Sequence, residues 1–151
     1  MIPVGNKEGS LVFARPSVGI DTVHVPAFRD QLADPASAFV TGTFTAAERA
    51  TADARPGGDP ARHLAVRFAA KEAFVKAWDG TFFGLRPPLG EGDGLDLRDI
   101  EVVNDAWGRP ALVLHGRVAA ALPDAACSVS LSHDGDSAVA VVLLITSGAT
   151  R

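Results

Sequence analysis

Cysteine and lysine are both scarce in this chain. A single cysteine, Cys127, rules out an intramolecular disulfide and any cysteine-based metal cluster. It stands in an alternating apolar run, the setting of a buried structural thiol, and points to a reducing, cytoplasmic compartment. Only Lys7, Lys71 and Lys76 stand against eleven arginines, and two of those lysines fall on one candidate helix. No stretch approaches the roughly 20 apolar residues of a membrane span. The opening Met-Ile-Pro-Val-Gly-Asn-Lys-Glu carries charge where a signal peptide needs its apolar run, so export is not expected. A net charge of -4 argues against nucleic acid and anionic membrane as partners. There is no Gly-rich phosphate loop of the Walker or Rossmann type, and His24, His63 and His115 lack metal-ligand spacing.

What is present suits one domain of 151 residues, 47% hydrophobic and 21% charged. Residues 1 to 16 show no sustained periodicity and read as a tail. Val18-Gly-Ile-Asp-Thr-Val23 is a β-branched run, hence a strand. Pro26 and Asp30 open a short helix over about 26–33, and Thr45-Ala-Ala-Glu48 has capping-box spacing for a helix to about 54. Asp59 and Pro60 then launch the longest helix, to about Trp78, with Leu64, Phe68, Val75 and Trp78 on one apolar stripe. Residues 79–98 hold five glycines, two prolines and the pair Phe82-Phe83 without period, a loop long enough to be functional. Strands over 100–103, 111–115, 128–132 and 138–145 follow, with a short helix near 117–122. The last strand is apolar on both faces and so central. The expected class is α+β: an antiparallel sheet packed with one long helix and shorter ones.

The densest chemical constellation is Arg67-Phe-Ala-Ala-Lys71-Glu72-Ala-Phe-Val-Lys76-Ala77. Glu72 and Lys76 share a helical face, as do Arg67 and Lys71. Either these are ion pairs on a solvated face, or they form a site that the small flanking Ala69, Ala70, Ala73 and Ala77 let something approach. Asp21 lies within an apolar strand, where a carboxylate is costly to bury alone. It faces solvent, or it faces the helix. In the second case Asp21 and Glu72 make a two-carboxylate oxygen site of the kind that suits Mg²⁺. Ser130-Leu-Ser132-His133-Asp134 is no catalytic triad, because neighbours in an extended chain point to opposite faces.

Taken together, Val18-Gly-Ile-Asp21, Phe44-Thr-Ala-Ala-Glu48, the Arg67–Ala77 segment, Asp99-Ile-Glu-Val, Gly108-Arg-Pro110 and Ser130-Leu-Ser-His133 resemble the holo-acyl-carrier-protein synthase family of phosphopantetheinyl transferases. The pieces occur in the family's order from about 18 to 145. The resemblance implies a phosphopantetheinyl transferase domain over 17–146, with a C-terminal tail at 147–151. It implies transfer of 4'-phosphopantetheine from coenzyme A to a serine of apo acyl carrier protein, releasing adenosine 3',5'-bisphosphate, a step that serves fatty acid biosynthesis. By position, Asp21 and Glu72 would hold Mg²⁺, with Glu72 and Lys76 catalytic. Arg67, Lys76, Arg109 and His133 would bind coenzyme A. A homotrimer with active sites between subunits is also implied. Where family members carry a basic helix after the first strand, this chain has one arginine and one aspartate, Arg29 and Asp30. The competing readings are a non-catalytic binding module and a structural oligomer.

Overall fold

The long helix organises the molecule, and its start follows from two local facts. Pro60 has the backbone angle of a first helical residue, and the Asp59 carboxylate accepts hydrogen bonds from the amides of Ala61 (3.1 Å) and Arg62 (3.3 Å). In the computed structural model, which describes residues 2–5, 11–54, 58–86 and 94–147, this helix (α4) runs Pro60–Gly80. Around it lie β1 (Ile2–Gly5), β2 (Leu11–His24), α1 (Val25–Leu32), α2 (Phe39–Thr43) and α3 (Ala46–Asp53). A 3-10 turn at Leu97–Asp99 leads to β3 (Ile100–Asn104), β4 (Pro110–Leu114), α5 (Gly116–Ala121), β5 (Ala126–Asp134) and β6 (Ser137–Ser147). The main sheet has order β1-β2-β6-β5, antiparallel throughout, and β3-β4 form a separate hairpin. The expected α+β class holds, and β6 is central.

Both halves of the α3 capping box are formed: the Glu48 amide donates to Thr45 Oγ1 and the Thr45 amide to Glu48 Oε2. The stripe expected on α4 is wider than the periodicity implied. Leu64 and Trp78 are buried and Phe68 and Val75 only partly, while Ala65, Ala69, Ala70, Ala73, Phe74 and Ala77 are fully covered. The helix packs on β2 and β6 and also touches α1, α3 and β3, so no single stripe describes it.

Two further expectations need correction. Residues 2–5 and 11–16, read as tail, are strand: β1 pairs with Leu11–Ala14, and β2 pairs with β6 from Ala14 onward. Pairing through backbone hydrogen bonds needs no side-chain alternation, which is why periodicity missed it. The loop at 79–98 is also shorter, since Asp79 and Gly80 close α4 and Leu97–Asp99 is a 3-10 turn; residues 87–93 lie outside the described residues. Cys127 is half-buried in β5, and burial pushes its thiol pKa up, consistent with an unreactive side chain.

Candidate active site

In β2 the outward positions are Val18 and Ile20, so Gly19 and Asp21 turn toward α4. Gly19 matters for this meeting. A Cβ there would collide with the Ala73 carbonyl oxygen and lie 2.7 Å from the Ala77 amide nitrogen. The small residues of α4 therefore admit the backbone of β2. Strand and helix come close enough for the Lys76 ammonium to donate to Asp21 Oδ1 at 2.7 Å and to the Ile20 carbonyl at 3.2 Å.

Glu72 lies one turn before Lys76 on α4, and Asp21 and Glu72 line a common cavity of about 370 Å³ with His24, Gln31 and Phe68. Burial raises the Glu72 pKa, and the negative charge of Asp21 raises it further; Lys76 pulls it down. Two carboxylates facing one space repel, and a hard cation between them would relieve both. Among the described residues no three His, Cys, Asp or Glu side chains group as a metal site. A cation here would take its other ligands from water or a substrate phosphate, the habit of Mg²⁺. The donor set fits that ion.

A second cavity, of about 360 Å³, opens beside the N-terminal half of α4. Arg62, His63, Arg67, Asn104 and His133 line it, with Asp59 the one carboxylate among the described residues, so the wall is polar and carries two guanidinium groups. Arg67 is buried, its guanidinium donating to His63 Nδ1 (3.1 Å), the His63 carbonyl (3.3 Å) and Asn104 Oδ1 (2.9 Å). Asn104 Nδ2 in turn donates to the Gly108 carbonyl (3.0 Å), tying the cavity to the β3–β4 turn. Gly108 sits there at φ 82°, a backbone state that favours glycine.

Arg67 and His133 thus share a cavity, as Asp21 and Glu72 do. Arg109 lines neither. Its Nε pairs with Asp105 Oδ2 at 2.5 Å, and its guanidinium covers the Trp107 ring, 5.0 Å from the centroid.

The reading of Arg67, Lys71, Glu72 and Lys76 as ion pairs on a solvated face does not survive. Lys76 pairs across to β2. Lys71 is fully buried, its ammonium donating to Glu48 Oε2 (2.9 Å) and to the carbonyls of Leu97 (2.9 Å) and Ile100 (2.6 Å). Glu48 Oε1 accepts from the Val102 amide (3.0 Å), so one carboxylate caps α3, pairs with Lys71 and anchors β3. The capping-box spacing signalled Glu48 but not this second task. Arg62, His63 and Asn104 also escaped the sequence reading; only the i, i+4 spacing of His63 and Arg67 hinted at them.

With this geometry in view, comparison with known proteins is decisive. A family model described as the 4'-phosphopantetheinyl transferase superfamily matches residues 17–142. The chain belongs to that superfamily, in its holo-[acyl-carrier-protein] synthase family. It is 50% identical over 131 residues to a holo-[acyl-carrier-protein] synthase of Mycobacterium ulcerans, covering 86% of this chain and 96% of that one. The apo structure of the Chronobacterium ammoniagenes relative superposes with a TM-score of 0.82 at 43% identity, covering 90% of this chain and 100% of the other. Its complex with coenzyme A gives 0.80 at 44%, with 89% and 99% covered. The resemblance seen in the motifs therefore holds, and the family is one of transferases.

Proposed function

We propose that this chain transfers 4'-phosphopantetheine from coenzyme A to a serine of apo acyl carrier protein, in a Mg²⁺-dependent reaction carried by residues 17–146. The observation that carries this reading is the convergence of Asp21, Glu72 and Lys76 where β2 meets α4. The complex of the Chronobacterium ammoniagenes relative with coenzyme A supports the donor. The names of the relatives supply the acceptor.

Asp21 and Glu72 would hold the ion. When bound, it supplies neutralisation of the pyrophosphate charge that grows as the bond to the leaving group breaks. Lys76, beside them, offers an ammonium to the phosphate under attack. The serine oxygen attacks the β-phosphorus, the bond to the α-phosphate bridging oxygen breaks, and adenosine 3',5'-bisphosphate leaves with that electron pair. The hydroxyl proton passes to the Glu72 carboxylate, since the Lys76 ammonium is already fully protonated. Arg67 and His133, which line the second cavity, suit the phosphates of the leaving nucleotide. The rest is positioning and fixed charge, as in phosphoryl transfer generally.

A homotrimer with intersubunit sites belongs to the same proposal. Val18 pairs with Leu143 and Ile20 with Val141 across β2 and β6, and all four face away from α4. They are 63%, 37%, 56% and 37% exposed, an apolar sheet face of the kind that another copy covers. Arg109, which lines neither cavity in its own chain, would then act on coenzyme A in a neighbour's site. A cytoplasmic location and a role in fatty acid biosynthesis accord with this chemistry. Among the described residues, no helix is long and apolar enough to cross a membrane.

The test is intact-mass measurement of an apo acyl carrier protein after incubation with this chain, coenzyme A and Mg²⁺. A gain of one phosphopantetheine, abolished by a chelator and by Glu72→Gln, is the expected result. No gain on any of several carriers, despite coenzyme A binding, would leave a binding module instead.

A further inference from the structure

Lys76 is not among the residues that line the carboxylate cavity, but it pairs with one of the cavity's two acids. Its ammonium lies 2.7 Å from Asp21 Oδ1 and 3.2 Å from the Ile20 carbonyl. Asp21 is largely enclosed, its side chain 16% exposed, whereas Lys76 is 55% exposed on a flexible four-carbon stem. The carboxylate sits close to the strand backbone, whereas the ammonium ends a stem with four rotatable bonds. Glu72, the other carboxylate of the cavity, reaches neither Lys76 nor another cation within ion-pair distance among the described residues.

We propose that Lys76 is the resident counter-ion of Asp21 and competes with a divalent cation for that carboxylate, so that the cation enters well only when a pyrophosphate takes over the ammonium. The inference rests on the metal-site reading above and adds to it an order of assembly. A dication on Asp21 would sit within a few ångström of the ammonium, and two like charges so close repel strongly where water is partly excluded. A pyrophosphate removes the conflict from both sides: its oxygens are new acceptors for Lys76 and new ligands for the cation. By linkage, coenzyme A then tightens cation binding and the cation tightens coenzyme A binding by the same factor. Lys76 makes this coupling larger than it would otherwise be.

The experiment is Mn²⁺ binding to the full chain, followed by electron paramagnetic resonance without coenzyme A. Lys76→Met should bind Mn²⁺ roughly tenfold or more tightly than the natural chain, the scale of removing one contact charge. Lys76→Arg, which keeps the pairing, should match the natural chain. Adding coenzyme A should raise Mn²⁺ affinity more in the natural chain than in Lys76→Met. Lysine footprinting gives a second readout with the natural chain. Acetylation by an amine reagent, read peptide by peptide so that Lys7 and the buried Lys71 are told apart from Lys76, should rise severalfold at Lys76 when Mg²⁺ is added to saturation. Unchanged or weaker Mn²⁺ binding by Lys76→Met, or acetylation indifferent to saturating Mg²⁺, overturns the inference. If Asp21→Asn and Glu72→Gln weaken Mn²⁺ binding while Lys76→Met fails to tighten it, the metal site stands and only the competition is wrong. If none of the three changes Mn²⁺ binding, the metal-site reading falls as well.

Discussion

At Gly19 a hydrogen atom in place of a methyl group decides whether a helix and a strand can touch. Gly19→Ala would push α4 away from β2 and draw Glu72 and Lys76 off Asp21. The expected outcome is a folded protein with a lowered melting temperature and a transfer rate down at least about tenfold, since small misplacement of reacting groups is costly. Scanning calorimetry and carrier mass shift check the two halves. Lys71 is the opposite case, a charge that works by being unreachable. Burial lowers its pKa, and the pairing with Glu48 opposes that. Glu48→Gln would leave the ammonium buried with only carbonyl partners, and about 3–5 kcal/mol of stability should be lost. Urea denaturation measures it directly.

At the scale of elements, α4 depends on its N-terminal cap. Burial pushes the Asp59 carboxyl pKa up, but hydrogen bonds from the Arg62 and Ala61 amides and the charge of Arg29 outweigh it, so the net shift is downward. The Arg29 guanidinium reaches Asp59 Oδ2 at 2.6 Å, linking α1 to the start of α4. Asp59→Ala should cost about 1 kcal/mol at neutral pH. A lowered pKa in the folded state means the ionised form is stabilised. The advantage of the natural chain is therefore complete above the unfolded value and fades as pH falls through the folded one. Thermal melts of both proteins across acid pH should converge; a gap that persists below pH 2 would refute the charge's part in the cap. The segment joining α4 to the 3-10 turn allows a separate test. We expect coenzyme A to slow protease cleavage within 81–96, through cover of the pantetheine arm; equal cleavage with and without it would remove that role.

For the whole molecule the question is what covers the outer face of the sheet. Ile20→Lys should leave a chain that folds but sediments as a monomer, because α4 packs on the other face. Analytical ultracentrifugation reads this, and an unchanged oligomer would place the interface elsewhere. If Arg109 serves a neighbour's site, Arg109→Ala should raise the KM for coenzyme A roughly tenfold, the worth of one charge-assisted hydrogen bond. Mixed with Glu72→Gln, it should regain part of the activity, since some mixed interfaces then hold both natural residues. No recovery on mixing would confine the site to one chain.

Much of this was legible in the residues alone. Helix starts at Thr45 and Asp59, the antiparallel strands, the central position of the last strand and the motifs that mark the family all rest on local chemistry. Capping, turn preference and short-range spacing act between neighbours in the chain, so the order of residues determines them. What tertiary structure decided is which face meets which. Whether Asp21 turned to water or to α4 depended on the register of β2 against β6, and a shift of one residue would have reversed it. Lys71 and Lys76 are five residues apart on one helix, yet one is sealed beneath α3 and β3 and the other lies half-exposed beside β2. Their fates differ because the surroundings of a helix differ from side to side, and those surroundings come from segments 23 to 56 residues distant, beyond the reach of any local pattern.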